Sequence, residues 1–227
     1  MATISENHLT VVLRVTDAQW GRRAAAAALM LYEHGACPDR VMIRHYDGGG
    51  GRAERVSSGY DWLADDVTTP WLLCLDADSH VYDDVGILLD GIKDSHSLMA
   101  MRPSPLQTTS RDGWDEDKYR ALFEEAELPY RPLGTTCAFL MWSEFARNIL
   151  PSIAEWREWV DERGKFSQHY HNAQVAFALA CAAWKIRDDS TWWWGPEELS
   201  FSGEPHGIIH HEALSHYKFP FKRATEV

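Results

Sequence analysis

The stretch WLLCLDADSHVYDD, from Trp71 to Asp84, joins an apolar run to two carboxylates in the spacing Asp-x-Asp. The four successive apolar residues 72–75 predict a strand that is buried on both faces. Pro70 precedes the run and marks its beginning, because proline lacks the N–H that a strand ladder needs. Asp76 and Asp78 are therefore expected at the carboxyl end of a buried strand, which is where ligands bind in open α/β sheets.

The two aspartates favour a divalent metal site. Successive strand residues point in opposite directions, so the side chains at i and i+2 can converge on one centre. Two carboxylates, with the remaining positions left to water and phosphate, suit Mg²⁺ or Mn²⁺. The alternative is an aspartate pair that caps the following turn or helix, and short motifs often match by chance. The buried strand in front of Asp76 favours the metal site.

The surrounding sequence predicts an α/β fold. The pattern indicates strands at 9–15, 40–46, 72–75, 97–101 and 137–142, and helices at about 20–34, 57–66, 114–127, 143–159 and 172–184. Strands separated by helices predict a doubly wound, mostly parallel sheet with flanking helices. The chain from Thr191 onward forms an aromatic, His-rich C-terminal segment. Pro151 is expected to break the helix that begins at Ser143.

Composition narrows the class of protein. A chain of 227 residues with 45% apolar content can bury one sizeable core, so a single domain is expected. The formal net charge of −12 argues against an extensive nucleic-acid surface, because such surfaces concentrate Lys and Arg on one face.

The sequence also favours a cytoplasmic protein with no membrane span. The first 30 residues lack the basic start and apolar region of a signal peptide, and no apolar run approaches the ~18 residues that a membrane span needs. The cysteines are scattered without a Cys-x-x-Cys pair and are expected to be reduced thiols: Cys37, Cys74, Cys137 and Cys181.

The strand that ends in Leu-Asp-Ala-Asp, followed by Val81 and by Asp83-Asp84, resembles the nucleotide-sugar site of GT-A-fold glycosyltransferases. Family-8-type enzymes are the most similar and family-2-type enzymes the second. In these families the two aspartates hold a divalent metal that bridges the diphosphate of the sugar donor. The resemblance implies Mn²⁺ or Mg²⁺, a UDP- or GDP-linked sugar donor and an acceptor that the sequence does not identify. It also implies one GT-A-like domain over 1–227, with a nucleotide-binding half (1–101) and an acceptor and catalytic half (102–227).

The resemblance extends to residues that would bind the donor. Val15-Thr16-Asp17 resembles the first-strand residues that hold the base and ribose, with Trp20 as a stacking surface, although Asp17 could instead be a helix cap. The segment YRPLGTTCAFLMW resembles the small-residue turn and apolar strand beneath the donor sugar. Its Thr135 and Thr136 stand where family-8-type enzymes have Asn-Ala-Gly. The full predicted donor-binding set is Thr16, Asp17, Trp20, Asp76, Ala77, Thr135, Thr136 and Lys218.

Catalytic candidates come from two segments. HYHNAQVAFALA, from His169, resembles the family's Asp-Gln-Asp-x-x-Asn helix opening with its carboxylates replaced, which makes Asn172 and Gln174 candidates. An inverting enzyme needs a carboxylate to take the acceptor proton, whereas a retaining enzyme of this type does not, so the resemblance implies retention. Glu197 and Glu198 follow a Trp-Gly segment that superficially resembles one in inverting galactosyltransferases, and they remain the rival catalytic candidates.

The C-terminal segment HGIIHHEALSHYKFP supplies candidate ligands. In family-8-type enzymes a late strand ends in a histidine that completes the metal site, and a following lysine contacts the diphosphate. The resemblance therefore implies a metal site of Asp76, Asp78 and His210, with Lys218 on the diphosphate. Rival ligands are His211 and His216, further positive charge is expected from Arg22 or Arg52, and a His-rich tail can also be solvated surface.

Two other classes stay open at this stage. The run that ends at Asp76 also fits haloacid-dehalogenase-like phosphatases, with Asp76 as nucleophile and Asp188-Asp189 as a late acidic pair. That fold places its motif on the first strand, whereas here a strand–helix–strand–helix unit comes earlier. A nonenzymatic nucleotide-sugar binder is the second alternative. A GT-A-like nucleotidyltransferase is less favoured, because no Gly-x-Gly-Thr-Arg signature follows the first strand.

Overall fold

A computed structural model describes residues 9–15, 18–33, 40–45, 67–104, 114–163, 166, 169–201 and 207–211. The strands are Leu9–Val15 (β1), Arg40–His45 (β2), Trp71–Asp76 (β3), Ser79–Val81 (β4), Met99–Pro103 (β5), Gly134–Trp142 (β6), Thr191–Trp193 (β7), Leu199–Phe201 (β8) and Ile209–His211 (β9). The helices are Ala18–Glu33 (α1), Gly86–Asp94 (α2), Glu116–Glu125 (α3), Ser143–Glu162 (α4) and His169–Ala183 (α5), with a 3₁₀ turn at Asp188–Ser190. The predicted helix at 57–66 lies outside the described residues.

The main sheet has the strand order β2-β1-β3-β6-β5-β7. Strand β1 pairs in parallel with β2 and β3, and β5 pairs in parallel with β7. Among these six strands only β6 runs the other way, antiparallel to both β3 and β5. The predicted mostly parallel sheet is therefore confirmed. The carboxyl ends of β1, β3, β5 and β7 and the amino end of β6 share one edge, which we call the carboxyl edge.

Helices cover both faces of this sheet. On one face, Val11 and Leu13 of β1 belong to a buried cluster with residues of α1 and α2. On the other face, Val12 of β1 belongs to a cluster with residues of α4 and α5. A strand that is buried on both faces produces this alternation. Each fully buried aliphatic side chain stabilises the folded state by about 1.5–3 kcal/mol. Within the described part of the chain, no helix is both long and apolar enough to cross a membrane.

Helix α4 passes through Pro151 without a break, so the predicted break is wrong. Pro151 lies on the exposed side of the helix, and the Ser152 hydroxyl donates to the Ile149 carbonyl at 2.8 Å. On the inner side, Ile149, Leu150 and Ile153 are fully buried. A proline inside a helix costs about 3 kcal/mol, which burial of two such side chains can offset.

A second, three-stranded sheet lies next to the end of β3. Its order is β4-β9-β8, with β4 antiparallel and β8 parallel to β9. Because β4 follows β3 after only two residues, this small sheet begins at the carboxyl edge. Strand β9 thereby brings the His-rich segment 209–211 beside the Asp-x-Asp pair.

Candidate metal centre

Three side chains with metal-ligating atoms meet at the carboxyl edge: Asp76, Asp78 and His211. Each offers one ligand atom, and these atoms all lie within 4.8 Å of one another. His211 Nδ1 is 3.4 Å from Asp78 Oδ1 and 3.2 Å from the Ser79 hydroxyl. Two carboxylate groups and an imidazole, with other positions left to water or phosphate, form a donor set that fits Mn²⁺ or Mg²⁺.

The cluster follows from the way the chain leaves β3. Strand β3 ends at Asp76, and a two-residue turn leads to β4, so Asp78 is folded inward and only 4% exposed. In the antiparallel pairing of β4 with β9, Ser79 stands opposite His211. Directly paired residues project to the same face of a sheet, so the His211 ring lies beside Ser79, and its Nδ1 is also 3.4 Å from Asp78 Oδ1.

The structure brings His211, and not the predicted His210, to the two aspartates. His210 is 1% exposed, and its Nδ1 lies 2.8 Å from the Ser200 hydroxyl. Its ring packs edge-on against Tyr82 at a centroid distance of 6.4 Å. Adjacent strand residues point to opposite faces, so only one of the two histidines can face the aspartates. The other rival, His216, lies outside the described residues.

A buried arginine contacts the first aspartate. Arg14 of β1 is paired in register with Asp76 of β3, and its guanidinium forms an ion pair with the Asp76 carboxylate. The same nitrogen donates to the Thr136 carbonyl oxygen at 2.8 Å. Arg14 is only 6% exposed. The sequence signal for this contact was the single charged residue in the otherwise apolar or uncharged strand LTVVLRV.

Burial and neighbouring charges shift the pKa values of two side chains at the cluster, Asp78 and His80. Burial raises the pKa of the Asp78 carboxyl from 3.8 to about 6, and the nearby Asp76 carboxylate adds to the rise, while His211 and Arg23 act to lower it. Burial, together with Arg23 and His211, lowers the pKa of His80. A buried carboxyl with a raised pKa at a sheet edge is typical of a functional site.

The cation within electrostatic reach of the cluster is Arg23 of α1. Arg23 is partly buried and influences both Asp78 and His80, whereas the predicted Arg22 is exposed on the same helix. Arg52, the other predicted cation, lies outside the described residues. The run of alanines after Arg23 favours helix, and Ala24 and Ala27 are buried, so α1 is fixed to the sheet with Arg23 beside the cluster.

A second cation, Arg102, follows the same edge at the end of β5. Its guanidinium lies 4.8 Å from the centroid of the Phe201 ring, which packs edge-on against His211 at 6.0 Å. Sequence reasoning did not single out Arg102 as a site residue, because its proximity depends on the pairing of β8 with β9. The same guanidinium donates to the Leu199 carbonyl oxygen, so Arg102 ties β5 to β8 of the small sheet.

The predicted donor-binding residues fall into two groups. Thr135 and Thr136 are buried at the amino end of β6, on the carboxyl edge, and Ala77 is buried between the two aspartates. The Thr135 hydroxyl is 3.2 Å from the Cys137 sulfur. The remaining predicted residues cannot be placed: Thr16, Asp17 and Lys218 lie outside the described residues, as does the side chain of Trp20.

The two amide candidates have different surroundings. The Asn172 side chain is fully buried; its Oδ1 accepts from the Phe166 N–H at 3.0 Å and its Nδ2 donates to Asp161 at 2.5 Å. These contacts join α4 to α5 and describe a structural residue. Gln174 instead accepts a hydrogen bond from the Ser104 hydroxyl at 3.2 Å. Ser104 directly follows β5, so Gln174 reaches the carboxyl edge.

The sequence offers a second register for this helix opening. If the buried Asn172 corresponds to the asparagine that ends Asp-Gln-Asp-x-x-Asn, the glutamine of that motif corresponds to Gln168, which precedes Asn172 by four residues. Gln168 lies outside the described residues.

Glu197 and Glu198 stand at the other end of the small sheet. Both precede β8, whose first residue Leu199 is paired with Ile209, whereas His211 is paired with Phe201 at the far end. The Glu198 carboxylate accepts a hydrogen bond from the Gly195 N–H at 2.7 Å. The structure therefore does not bring these two glutamates to the aspartate cluster.

The acidic pair of the phosphatase alternative is also separated from Asp76. Asp188 and Asp189 precede β7, and β7 runs parallel to β5 and hence to β3, so the pair lies at the opposite edge of the sheet from Asp76. The Asp188 carboxylate accepts a hydrogen bond from the Trp193 indole. Asp76 and this pair cannot form one phosphatase site.

Comparisons with known proteins agree with this geometry. The sequence matches no protein-family model and no curated protein. The apo form of mouse xyloside xylosyltransferase 1 is similar in structure, with a TM-score of 0.56 at 9% identity over 91% of this chain and 98% of that chain. The galactosyltransferase LgtC with donor and acceptor sugar analogues is similar with a TM-score of 0.55 at 13% identity, over 93% of this chain and 87% of that chain. An active-site glutamine-to-glutamate mutant of LgtC gives a TM-score of 0.56 at 12% identity over 89% of this chain and 86% of that chain.

At these identities the likeness concerns the fold. The mostly parallel sheet and the flanking helices of this chain match the overall fold of these glycosyltransferase structures. The chain has the GT-A fold, with an Asp-Asp-His cluster at the carboxyl edge of its sheet.

Proposed function

We propose that the protein is a metal-dependent glycosyltransferase that moves a sugar from a nucleotide diphosphate donor to an acceptor. The observation that carries this proposal is the meeting of Asp76, Asp78 and His211 at the carboxyl edge of a GT-A sheet. The fold alone supports many chemistries, but two carboxylates and an imidazole at one point, with Asp78 buried, form a specific arrangement for a divalent cation.

The chain supplies a defined set of roles for this reaction. Asp76, Asp78 and His211 would hold the cation, which when bound neutralises the charge that builds up on the diphosphate leaving group. Arg23 adds positive charge beside Asp78, where it would stabilise the leaving group without rearrangement. Ser79 fixes the orientation of the His211 ring through Nδ1.

The donor would lie along the carboxyl edge between β1 and β6. Thr16, Asp17 and Trp20 follow β1 and are proposed to hold the base and ribose of a UDP- or GDP-linked sugar. Thr135 and Thr136 form the floor beneath the sugar, and Lys218 is proposed to reach the diphosphate.

We assign the reaction to the retaining class. Gln174 reaches the carboxyl edge through Ser104, while Glu197 and Glu198 stand at the far end of the small sheet. LgtC, a protein of similar fold, has a glutamine in its active site. Gln174 and Gln168 are the two candidates for an amide beside the donor sugar. NMR of the product anomer tests retention, and the kcat values of Gln174→Ala and Gln168→Ala identify the glutamine.

Donor binding is tested by thermal shift of the wild-type protein. UDP, GDP and their sugar conjugates are added with Mn²⁺ or with EDTA, and we expect one nucleotide to raise Tm only when Mn²⁺ is present. Slow hydrolysis of the matching nucleotide sugar should accompany binding. Binding without any hydrolysis or transfer favours a nonenzymatic binder instead. Stabilisation by every nucleotide in EDTA, equal to that in Mn²⁺, contradicts the proposal.

A further inference from the structure

A buried arginine side chain contacts one of the two aspartates of the cluster. Arg14 projects from β1, in the interior of the sheet between β2 and β3, and its guanidinium is paired with Asp76. A guanidinium remains protonated in proteins, so this charge is permanent. Asp76 therefore has a fixed counter-charge before any metal arrives.

Arg14 is held in place by more than this ion pair. Its guanidinium also donates to the Thr136 carbonyl oxygen at 2.8 Å, and the residue is only 6% exposed. Its backbone is part of the parallel ladders with β2 and β3, where Arg14 stands opposite Arg44 and Asp76. A buried charge that loses its partner is costly, so the ion pair with Asp76 and the hydrogen bond to Thr136 favour keeping Arg14 beside Asp76.

Among the described residues, fixed guanidinium charge offsets part of the negative charge of the cluster. Arg14 is paired with Asp76, and Arg23 acts on Asp78. A free dication entering this site meets less attraction than the two carboxylates alone would give, and it is repelled by a guanidinium in contact with one of its ligands. A diphosphate would supply the missing negative charge.

We propose that Arg14 is a positioning and charge-setting residue, which neutralises Asp76 so that the site takes up its metal together with the diphosphate and not alone. This inference rests on the proposed function, because it concerns the same site. The coupling is reciprocal, so the metal and the nucleotide each increase the affinity for the other. Asp78 and His211 are then the ligands that remain without a fixed guanidinium contact in the described structure.

The decisive variant is Arg14→Gln, which keeps an amide donor for Thr136 and Asp76 but removes the charge. Calorimetric titration with MnCl₂ in the absence of nucleotide should show at least about tenfold tighter binding than in wild type. Arg14→Lys keeps the charge and should bind Mn²⁺ within about threefold of wild type. Arg157→Gln is the matched control, because Arg157 is also buried and paired with an aspartate but belongs to α4. It should leave Mn²⁺ affinity unchanged.

The wild-type protein provides a second measurement that needs no variant. Its Mn²⁺ affinity should rise at least about tenfold when UDP or GDP, whichever binds, is present at saturation. In Arg14→Gln this gain should shrink, because the variant already binds Mn²⁺ well alone.

Each outcome decides the proposal. Unchanged or weaker Mn²⁺ binding in a folded Arg14→Gln protein overturns it, and so does a wild type that binds Mn²⁺ equally with and without nucleotide. If Arg14→Gln does not fold, the proposal is decided by the Mn²⁺ affinity of the wild-type protein with and without nucleotide. Failure of the proposed function looks different: Mn²⁺ binding is then absent with every nucleotide, or persists undiminished in Asp78→Asn.

Discussion

Two arginine–aspartate pairs in this protein, each with a buried arginine and a partly exposed aspartate, have the same chemistry and different surroundings. Arg157 and Asp161 are one turn apart on α4, with Nε and Oδ2 at 3.4 Å, and the other carboxylate oxygen accepts from Asn172. Arg14 and Asp76 come from different strands, and Asp76 also offers an oxygen within 4.8 Å of ligand atoms of Asp78 and His211.

The difference separates a structural pair from a functional one. Both oxygens of Asp161 are occupied by protein groups, so the pair does no more than tie α4 to α5. Asp76 contacts a permanently charged arginine and also lies beside two other metal-ligating side chains. A metal ion could therefore bind between Asp76 and these two side chains. Buried ion pairs are weak evidence for stability, and the surroundings of each carboxylate say more about its role than the pair itself.

The largest expected effect comes from neutralising the cluster. Asp78→Asn keeps the shape and removes the charge, so Mn²⁺-dependent nucleotide binding should fall by more than about 100-fold, since loss of an outer-shell partner alone costs roughly 10–100-fold. Asp161→Asn is the matched change in the structural pair, and it should lower Tm without altering nucleotide affinity. Calorimetry on both variants checks this. Wild-type nucleotide affinity in Asp78→Asn would place the metal elsewhere.

The second prediction concerns pH and the metal-free protein. Because burial raises the pKa of Asp78 to about 6, the folded state holds this proton more tightly than the unfolded state, where the value is 3.8. Ionising Asp78 therefore costs stability: the cost is absent below pH 3.8, grows as pH rises through 6 and is complete above it. Asp78→Asn removes the cost, so in EDTA it should be about 1–3 kcal/mol more stable than wild type at pH 8 and no more stable at pH 3.5.

Urea unfolding across this pH range measures the effect. Asp188→Asn, on an exposed carboxyl at the opposite edge of the sheet, serves as the control and should be no more stable than wild type at pH 8. A gain for Asp78→Asn that does not depend on pH would mean that the asparagine stabilises by packing and not by removing a buried charge.

The third prediction compares the neighbouring histidines. His211→Ala removes one neutral ligand of several and should weaken Mn²⁺ binding in the presence of nucleotide by about tenfold. His210→Ala removes a side chain that is buried and bonded to Ser200, so it should lower stability by roughly 1–3 kcal/mol and leave Mn²⁺ affinity unchanged. Parallel titrations and melts separate the two. If His210→Ala weakened Mn²⁺ binding and His211→Ala did not, His210 would be the ligand.

These two histidines show where sequence reasoning reached its limit. Strand β3 and the Asp-x-Asp pair were predictable because an apolar run and a carboxylate spacing are local features. Choosing between His210 and His211 required the register of β9 on β4, and a shift of one residue turns every side chain to the other face. The contact of Arg14 with Asp76 likewise depends on a pairing between strands 62 residues apart.

Asn172 and Pro151 show the same limit inside helices. Asn172 was chosen for its likeness to a catalytic motif, but its amide joins two helices, which only the packing of α4 against α5 reveals. Pro151 was expected to break α4, but the buried stripe on the opposite side of the helix outweighs its local cost. In both cases the outcome depends on packing between elements, which the local sequence does not show.

The smallest expected effect concerns the hydrogen bond that positions Gln174 at the carboxyl edge. Ser104→Ala removes the hydroxyl that donates to Gln174 at 3.2 Å, and one neutral hydrogen bond contributes about 0.5–1.5 kcal/mol. If Gln174 lies against the donor sugar, kcat for donor hydrolysis should fall about threefold to tenfold with little change in Tm. The control is Ser95→Ala, because the Ser95 hydroxyl donates to the Ile92 carbonyl at the end of α2, away from the cluster, and its loss should leave kcat unchanged. Equal kcat values for Ser104→Ala and wild type, together with a loss in Gln168→Ala, would transfer the catalytic role from Gln174 to Gln168.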